Sequence, residues 1–349
     1  MNKRYKKKKG FNKTFVIAEI GLNHNGNYDL AKDSVIAAAK AGADAVKFQN
    51  FLTEDFLSDK SILHTYKNAG KEITEPLFDI CKRSEFKKEW LPKLIKLCDK
   101  LDIIFLSTPT SESGVDDLIS FGVKYIKNGS DYLSHIPLLK YMAATGATII
   151  ISTGMAYQKE IDDAVNTVLS INPNKSKLII LHCTSNYPTS SKNVNLKKIH
   201  TLQNRYGVAI GFSDHTEGWT SAVQAVTLGA KVVEKHFTLD KNLPGPDHWF
   251  SSDYDEFKEL VKQIRLAEKR MGLSELKPTQ SEIKLRDKWQ LGLVWNKNIL
   301  AGRKITRKDI AIRKPATGLR PKEIDSIIGS KVTKNCNKGD SVTVTDYTK

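Results

Sequence analysis

The sequence lacks the marks of a disulfide scaffold, a structural zinc site or a membrane protein. Its four cysteines, Cys81, Cys98, Cys183 and Cys336, lie far apart and form no CxxC pair. No apolar run approaches the roughly 20 residues that a membrane-spanning helix needs. No apolar stretch of signal-peptide length follows the charged start. We therefore expect a protein of the reduced cytoplasm that has no membrane partner.

The main body of the chain also lacks an excess of charge of one sign. The formal net charge is +16, but residues 1–13 hold seven Lys and Arg and no acid. Residues 286–349 hold fifteen Lys and Arg against six acids, and residues 14–285 are neutral, with 33 of each sign. A nucleic-acid enzyme with a basic groove through its main body is therefore not expected. Residues 1–13 are predicted to be a disordered basic tail.

Residues 14–272 repeat one pattern, in which a short apolar run precedes a polar loop and an amphipathic stretch. Eight such runs alternate with helical segments, which predicts a (β/α)8 TIM barrel. An open doubly wound sheet is the alternative, but it would favour a Gly-rich turn after the first strand, where the sequence reads EIGLNHNGN. The predicted strands cover residues 15–20, 44–49, 103–107, 123–127, 148–152, 178–182, 208–212 and 231–235.

Two long polar insertions interrupt this pattern, at residues 50–83 and 236–252. Long loops at the carboxyl ends of the strands are where a barrel builds its active site. Residues 273–285 are predicted to be a linker, and residues 286–349 a small β-rich domain with short β-like runs and many turns. About 60 residues is small for an independent core, so this domain is expected to need a partner surface.

Polar residues stand at the carboxyl end of every predicted strand, so the barrel would carry a polar cup. Lys47 and Lys127 lie within strands, where burial would require a counter-anion, and together with nearby hydroxyls they suit a phosphate and a carboxylate. A solvated charge is the alternative for each lysine. The cup would comprise Glu19, Asn23, His24, Lys47, Gln49, Ser107, Thr108, Lys127, Gly129, Ser130, Ser152, Thr153, Gly154, His182, Thr184, Ser185, Ser213, Asp214, His215, Glu234, Lys235 and His236.

Two histidines close consecutive strand–loop units and could share one metal ion. These are His215 and His236, and hydrogen-bonded loop histidines are the alternative. Two imidazoles are too few protein ligands for a zinc site, so an open Mn²⁺ or Mg²⁺ site whose coordination is completed by water and substrate fits better. Glu19, on the neighbouring first strand, is a candidate general acid or base or a support for the metal site, with a structural carboxylate as the alternative.

Several motifs occur in an order that resembles a known family. IAEIGLNHNGN, ISTGM, LHCTSNYPT, GFSDHTEG and VVEKHFTLDKNLPGPDH resemble the bacterial sialic acid synthases, which include N-acetylneuraminate synthase and its legionaminic and pseudaminic acid relatives. The resemblance runs from about residue 15 to residue 250. In the C-terminal domain, IRKPATGLRPKEIDSIIGSKV resembles the antifreeze-like (SAF) domain of this family.

The resemblance implies a condensation of phosphoenolpyruvate with an N-acetylated amino sugar, which yields a nine-carbon 2-keto acid and phosphate. It also implies a homodimer in which the SAF domain of one chain covers the barrel of the other. The phosphoenolpyruvate contacts that it implies are Lys47, Thr108, Lys127, Ser130, Ser152, Ser185 and Ser213. The sugar contacts that it implies are Gln49, Asn68, Tyr187 and Asp247, with Glu19, His215 and His236 in catalytic roles.

The sequence departs from the family pattern on the sugar side. GSDYL places Tyr132 where a carboxylate contacts the sugar, KPA leaves Lys314 where an arginine reaches the N-acetyl group, and WFS follows GPDH in place of a small-residue run. The reaction is therefore better determined than the acceptor. We expect N-acetylmannosamine or a related acetamido hexose, and a 2,4-diacetamido-trideoxyhexose, as in legionaminic acid synthesis, is the alternative.

Two other classes of function stay open at this point. One is a Schiff-base aldolase on the same fold, with Lys47 or Lys127 as the nucleophile. The other is a non-catalytic protein that binds nucleic acid or a surface through its basic ends.

Overall fold

The computed structural model describes residues 13–348, so the predicted basic tail lies outside the described residues apart from Lys13. The described chain forms two compact units, with the boundary between Gly272 and Leu273. The strands of the first unit are β1 (Phe15–Gly21), β2 (Ala45–Asn50), β3 (Leu63–Asn68), β4 (Lys71–Pro76), β5 (Ile104–Pro109), β6 (Tyr125–Asn128), β7 (Thr148–Ser152), β8 (Leu178–Cys183), β9 (Ala209–Asp214) and β10 (Val232–His236).

Ten α-helices accompany these strands in the described part of the first unit. Asn27 caps the first of them by accepting hydrogen bonds from the backbone N–H groups of Asp29 and Leu30, and Gly42 ends it with a φ of 94°. The helices are α1 (Tyr28–Ala41), α2 (Thr53–Phe56), α3 (Leu77–Arg83), α4 (Leu91–Leu101), α5 (Glu112–Ser120), α6 (Ile136–Ala144), α7 (Gln158–Ile171), α8 (Lys198–Tyr206), α9 (Thr220–Thr227) and α10 (Tyr254–Met271).

Eight of the strands close into a parallel barrel in the order β1-β10-β9-β8-β7-β6-β5-β2. The predicted (β/α)8 barrel is therefore confirmed, and the open doubly wound sheet is excluded. The predicted strand bounds agree with the observed ones within two residues. This agreement follows from burial, since strands covered on both faces read as continuous apolar runs.

The inside of the barrel changes from apolar to polar along the strands. Side chains alternate between the two faces of a strand, so every second residue points into the barrel. An apolar cluster fills the amino-terminal part, and it comprises Phe15, Ile17, Ala45, Leu106, Ile150, Ile179, Leu181 and Val232. The inward positions that come next, towards the carboxyl ends, carry mostly charged and hydroxyl side chains. This alternation places the candidate site at the carboxyl end of the barrel.

The insertion at residues 50–83 is not a polar loop throughout. It contains α2, an antiparallel hairpin of β3 and β4, and α3. The two-residue turn of the hairpin has positive φ angles at Ala69 (48°) and Gly70 (79°), as a type I′ turn requires. The sequence did not predict these strands, because most of their side chains are exposed and show no apolar alternation.

The second unit, Leu273–Lys349, has its own core around Leu293, Trp295 and Ile327. Two small antiparallel sheets form it, so the expected β-rich character is observed, whereas its assignment to the SAF domain stays a prediction. Its elements are α11 (Gln280–Ile283), α12 (Arg286–Trp289), β11 (Gly292–Trp295), β12 (Ile310–Arg313), α13 (Ile324–Ile327), β13 (Lys331–Val332) and β14 (Tyr347–Thr348).

Within residues 13–348, no helix combines the length and the apolar character that crossing a membrane requires.

Because the cluster inside the barrel is apolar and closely packed, a substitution that leaves a void in it should strongly lower the stability of the protein. Leu106→Ala should lower the free energy of unfolding by about 2–5 kcal/mol, because Leu106 is fully buried and its loss leaves a void. Leu63→Ala is the matched control, since Leu63 is 64% exposed and should change stability by less than about 0.5 kcal/mol. Urea unfolding of the full chain measures both, and equal effects would contradict this packing.

Candidate active site

A cavity of about 490 Å³ lies at the carboxyl end of the barrel. All eight barrel strands contribute to it, and the β3–β4 hairpin, α3 and the loop after β10 add further walls. Thirteen of the predicted site residues line it, namely Glu19, Lys47, Gln49, Thr108, Lys127, Ser130, Ser152, Ser185, Tyr187, Ser213, His215, His236 and Asp247.

Two predicted site residues are not in the lining. The side-chain amide of Asn68 donates hydrogen bonds to the carbonyl oxygens of Asn242 and Leu243, at 3.2 and 2.7 Å. Lys314 belongs to the second unit, where its Nζ lies 5.0 Å from the ring centroid of Trp289. Within the first unit, Asn68 is therefore engaged by the protein itself and lies outside the lining.

Several members of the predicted polar cup point away from the cavity. His24 packs among aromatic rings, 5.4 Å from that of Trp90, and His182 lies 2.6 Å from the carbonyl oxygen of Val194. Asp214 and Lys235 form a buried ion pair at 3.0 Å. For His182, Asp214 and Lys235 the prediction was too inclusive because it did not apply the alternation of strand side chains, which sends them towards the helices. His24 lies in the loop after β1 and packs there against aromatic rings.

The floor of the cavity is a network of buried charges. Lys47 Nζ lies 3.1 Å from Glu19 Oε1, 3.5 Å from Glu234 Oε1 and 3.2 Å from Thr108 Oγ1. Lys127 Nζ lies 3.9 Å from Glu234 Oε1. The counter-anions that the buried lysines require are therefore two glutamates of the barrel itself.

The environment shifts the protonation of each group in this network. Burial, together with the charge of Glu234, raises the pKa of Glu19 although Lys47 opposes this. Burial would also raise the pKa of Glu234, but Lys127 and Lys47 outweigh it and lower that pKa. Burial lowers the pKa of Lys127. The carboxylate charge therefore concentrates on Glu234, and Glu19 is the carboxyl that more readily carries a proton.

Glu234 is the main residue to which the sequence analysis gave no role. It pairs with both lysines and accepts a hydrogen bond from Ser213 Oγ at 3.1 Å. The sequence could have indicated that Glu234 faces the cavity, because in VVEKH it lies two residues before His236 and therefore on the same, inward face of β10.

Buried polar atoms without partners point to a ligand on this floor. Ser152 Oγ, Glu19 Oε2 and Glu234 Oε2 are buried and have no hydrogen-bond partner among the described residues. Buried polar groups in proteins are almost always paired, so such a cluster marks a place where a polar ligand completes the bonding. Ser152 Oγ and the two lysines can donate to an anion, whereas the two carboxylate oxygens require a donor or a proton of their own.

The two histidines predicted to bind a metal lie side by side, with ring centroids 5.4 Å apart. His215 Nδ1 lies 2.8 Å from the carbonyl oxygen of Thr184, so Nδ1–H donates and Nε2 is the ring nitrogen left for a ligand. His236 Nδ1 is buried without a hydrogen bond, 3.6 Å from Asp247 Oδ2. Burial lowers the pKa of His236 well below its usual value, which favours the neutral, ligating form.

These features fit a metal ion held by two imidazoles. Within the described ranges, no three His, Cys, Asp or Glu side chains surround one metal position.

The outer wall of the cavity is aromatic and apolar, in contrast to the floor. The ring of Tyr187 packs against those of Phe250 and His215, with centroid separations of 5.3 and 4.2 Å respectively. Burial, and then the charge of Glu19, raises the pKa of Asp247 to about 7. The wall consists of Tyr66, Leu77, Ile80, Tyr132, Met155, Tyr187, Trp249 and Phe250, with the carboxyl groups of Asp131 and Asp247 among them. The cavity can therefore hold an anion on its floor and a second, partly apolar molecule above it.

Comparison with known proteins places this site in a family context. Residues 34–275 match the NeuB family. The chain is 39% identical over 327 residues to the N,N'-diacetyllegionaminic acid synthase of Legionella pneumophila, which covers 93% of this chain and 92% of that protein. It is 38% identical over 323 residues to the synthase of the same name from Campylobacter jejuni, with 93% and 97% covered.

A solved structure is also similar to this chain in fold and sequence. The N-acetylneuraminic acid synthetase of Leptospira borgpetersenii superposes with a TM-score of 0.71 at 34% identity, covering 80% of this chain and 93% of that one.

The charge network predicts that Glu234 stabilises the barrel. Glu234→Gln should lower the free energy of unfolding by about 3 kcal/mol, because it removes the charge shared by two buried lysines. Asp163→Asn is the control, since its 2.8 Å pair with Lys159 is exposed and contributes less than about 1 kcal/mol. Urea unfolding without ligands compares the two variants, and a Glu234→Gln protein as stable as the control would contradict the network.

Proposed function

The chain belongs to the NeuB family, and on that premise we propose that it condenses phosphoenolpyruvate with an N-acetylated amino sugar to give a nine-carbon 2-keto acid and phosphate. It is accordingly an enzyme, a transferase that forms a carbon–carbon bond. The observation that carries the proposal is the buried pair Lys47 and Lys127, set among unpaired polar atoms beneath an aromatic wall.

The floor supports the binding of phosphoenolpyruvate, which carries a phosphate and a carboxylate. Burial alone would lower the pKa of Lys47, but Glu19 and Glu234 raise it, so Lys47 stays a cation that can pair with an anion. Such an anion would favour protonation of Glu19, whose pKa burial already raises. The hydroxyls of the lining add donors for its oxygens, and Ser152 Oγ already lacks a partner. The proposed phosphoenolpyruvate contacts are Lys47, Thr108, Lys127, Ser130, Ser152, Ser185 and Ser213.

The reaction needs hydrogen-bond donors at each of the oxygen atoms on which negative charge develops. The C2=C3 π electrons of phosphoenolpyruvate form the bond from C3 to the aldehyde carbon of the open-chain sugar, and the aldehyde oxygen takes up a proton. Water adds at C2 and gives up a proton, and the C2–O bond to phosphate then breaks as C2 becomes the keto carbon. Lysines and hydroxyls held in place by the barrel stabilise this charge without reorganising. Glu19 fits the role of acid or base, since Gln49 Nε2 holds its Oε1 at 2.9 Å while Oε2 stays unpaired.

We propose His215 and His236 as the ligands of a Mn²⁺ or Mg²⁺ ion. Such an ion would act as a Lewis acid that polarises a carbonyl oxygen. The neutral state of His236 and the hydrogen bond that orients His215 support this assignment.

The acceptor is proposed to be N-acetylmannosamine or a related acetamido hexose, contacted by Gln49, Tyr187 and Asp247. A 2,4-diacetamido-trideoxyhexose is the second candidate, and one feature of the wall favours it. Tyr132, Trp249 and Phe250 offer apolar surface that suits methyl and acetyl groups better than hydroxyls. Two similar relatives carry the name N,N'-diacetyllegionaminic acid synthase, which agrees with this candidate.

We further propose a cytoplasmic homodimer in which the second unit acts as a SAF domain over the barrel of the other chain. The four cysteines are buried free thiols, which agrees with a reduced compartment. In this arrangement Lys314 would approach the acetamido group of the acceptor.

A phosphate-release assay tests the proposal directly. Phosphoenolpyruvate, Mn²⁺ and an acetamido sugar together should release phosphate, whereas omission of the sugar should abolish the release. A panel with N-acetylmannosamine and the 2,4-diacetamido sugar ranks the two acceptors by kcat/KM. His215→Ala should reduce the rate by at least about 100-fold. No release with any acceptor, in a folded and metal-loaded sample, would overturn the proposal.

Borohydride trapping separates this reaction from a Schiff-base aldolase. With pyruvate and borohydride we expect no covalent label on Lys47 or Lys127, because neither acts as a nucleophile in the proposed reaction. Mass spectrometry of the digested protein reads the result, and an authentic lysine aldolase serves as the positive control. A reduced pyruvyl adduct on either lysine would favour the aldolase.

A further inference from the structure

Two segments of the first unit meet over the mouth of the cavity. One is the β3–β4 hairpin, which lines the cavity with His64, Thr65 and Tyr66. The other is the segment 237–253, which follows β10 and is here called the β10 loop. It lines the cavity with Pro246, Asp247, Trp249 and Phe250. The relative position of these two segments sets the shape of the outer half of the cavity.

Asn68, at the tip of the hairpin, makes the direct polar contact between the two segments. Its Nδ2 donates to the carbonyl oxygens of Asn242 and Leu243, at 3.2 and 2.7 Å. These two bonds use both N–H donors of the amide. Lys67 adds a weaker contact, with its Nζ 5.3 Å from the ring centroid of Trp249.

Each segment is fixed at its base and exposed at its tip. In the hairpin, Tyr66 donates to Glu75 at 2.7 Å, and Arg83 binds both oxygens of that carboxylate. In the β10 loop, Thr238 Oγ1 lies 2.7 Å from His248 Nδ1 inside the protein. Because the bases are rigid and the tips meet through few contacts, the contact at Asn68 controls how far the tips separate.

We propose that Asn68 is a positioning residue, a latch that holds the β10 loop against the hairpin and so sets Asp247 and Trp249 over the cavity. Its amide donors are engaged by the protein itself, so only Oδ1 is available to a ligand. This role differs from the direct sugar contact that the family resemblance implies, and it exists in the protein without substrates.

Two substitutions of Asn68 distinguish a positioning role from a direct contact with the sugar. Asn68→Asp keeps the shape and an oxygen acceptor but replaces the donors with a carboxylate that faces two carbonyl oxygens. Asn68→Ala removes the whole group. A latch fails in both variants, whereas a residue that only accepts a hydrogen bond from a sugar hydroxyl still works in Asn68→Asp.

Hydrogen exchange of the full chain without substrates tests the latch. In Asn68→Asp and Asn68→Ala, the amides at the tip of the β10 loop, residues 240–246, should exchange on the order of tenfold faster than in the unsubstituted protein. Lys71→Ala, an exposed residue on the same turn, is the control and should leave this exchange unchanged. Equal exchange in the unsubstituted protein and in both variants would overturn the proposal, and unchanged exchange elsewhere in the barrel verifies folding.

The kinetics give a second measurement that rests on the proposed function. Both Asn68 variants should raise the KM of the acceptor and leave that of phosphoenolpyruvate unchanged, because the floor lies outside the two segments. Retention of an unchanged acceptor KM by Asn68→Asp would count against the latch. Because the exchange experiment contains no substrate, failure of the proposed reaction and failure of the latch are separately visible.

Discussion

The ammonium groups of two lysines, buried on the floor of the cavity inside the barrel, set the main physical constraint on this protein. Removing an ion from water costs several kcal/mol, so Lys47 and Lys127 are tolerable only beside compensating charge. Glu19 and Glu234 supply that charge from neighbouring inward positions of β1 and β10. Burial raises the pKa of Glu19, so this carboxyl can take up a proton when an anion joins the floor.

The rest of the site follows from this floor. Because the strands alternate their side chains, apolar residues close the barrel below the charges and the loops must close it above. The loops do so with aromatic rings, which give the outer half of the cavity an apolar surface. The proposed anionic substrate and the proposed sugar thus occupy different environments. The latch at Asn68 joins two of the segments that build the outer environment.

The sequence predicted the features that depend on burial and periodicity. The eight strands were visible because they are apolar on both faces, and Lys47 and Lys127 stood out because they interrupt such runs. The hairpin was not visible, since its side chains are mostly exposed and only its Asn-Ala-Gly turn hints at it. The role of Glu234 depends on the approach of three strands, which spacing along one strand does not reveal.

Binding of phosphoenolpyruvate by the two buried lysines is the central proposal. Titration calorimetry with phosphoenolpyruvate alone tests it on Lys47→Met and Lys127→Met, with Lys71→Met as the exposed control. We predict that each buried substitution weakens binding by on the order of 100-fold while the control binds like the unsubstituted protein, because each removes a charge-assisted contact. Unchanged affinity in folded Lys47→Met and Lys127→Met proteins would contradict the account.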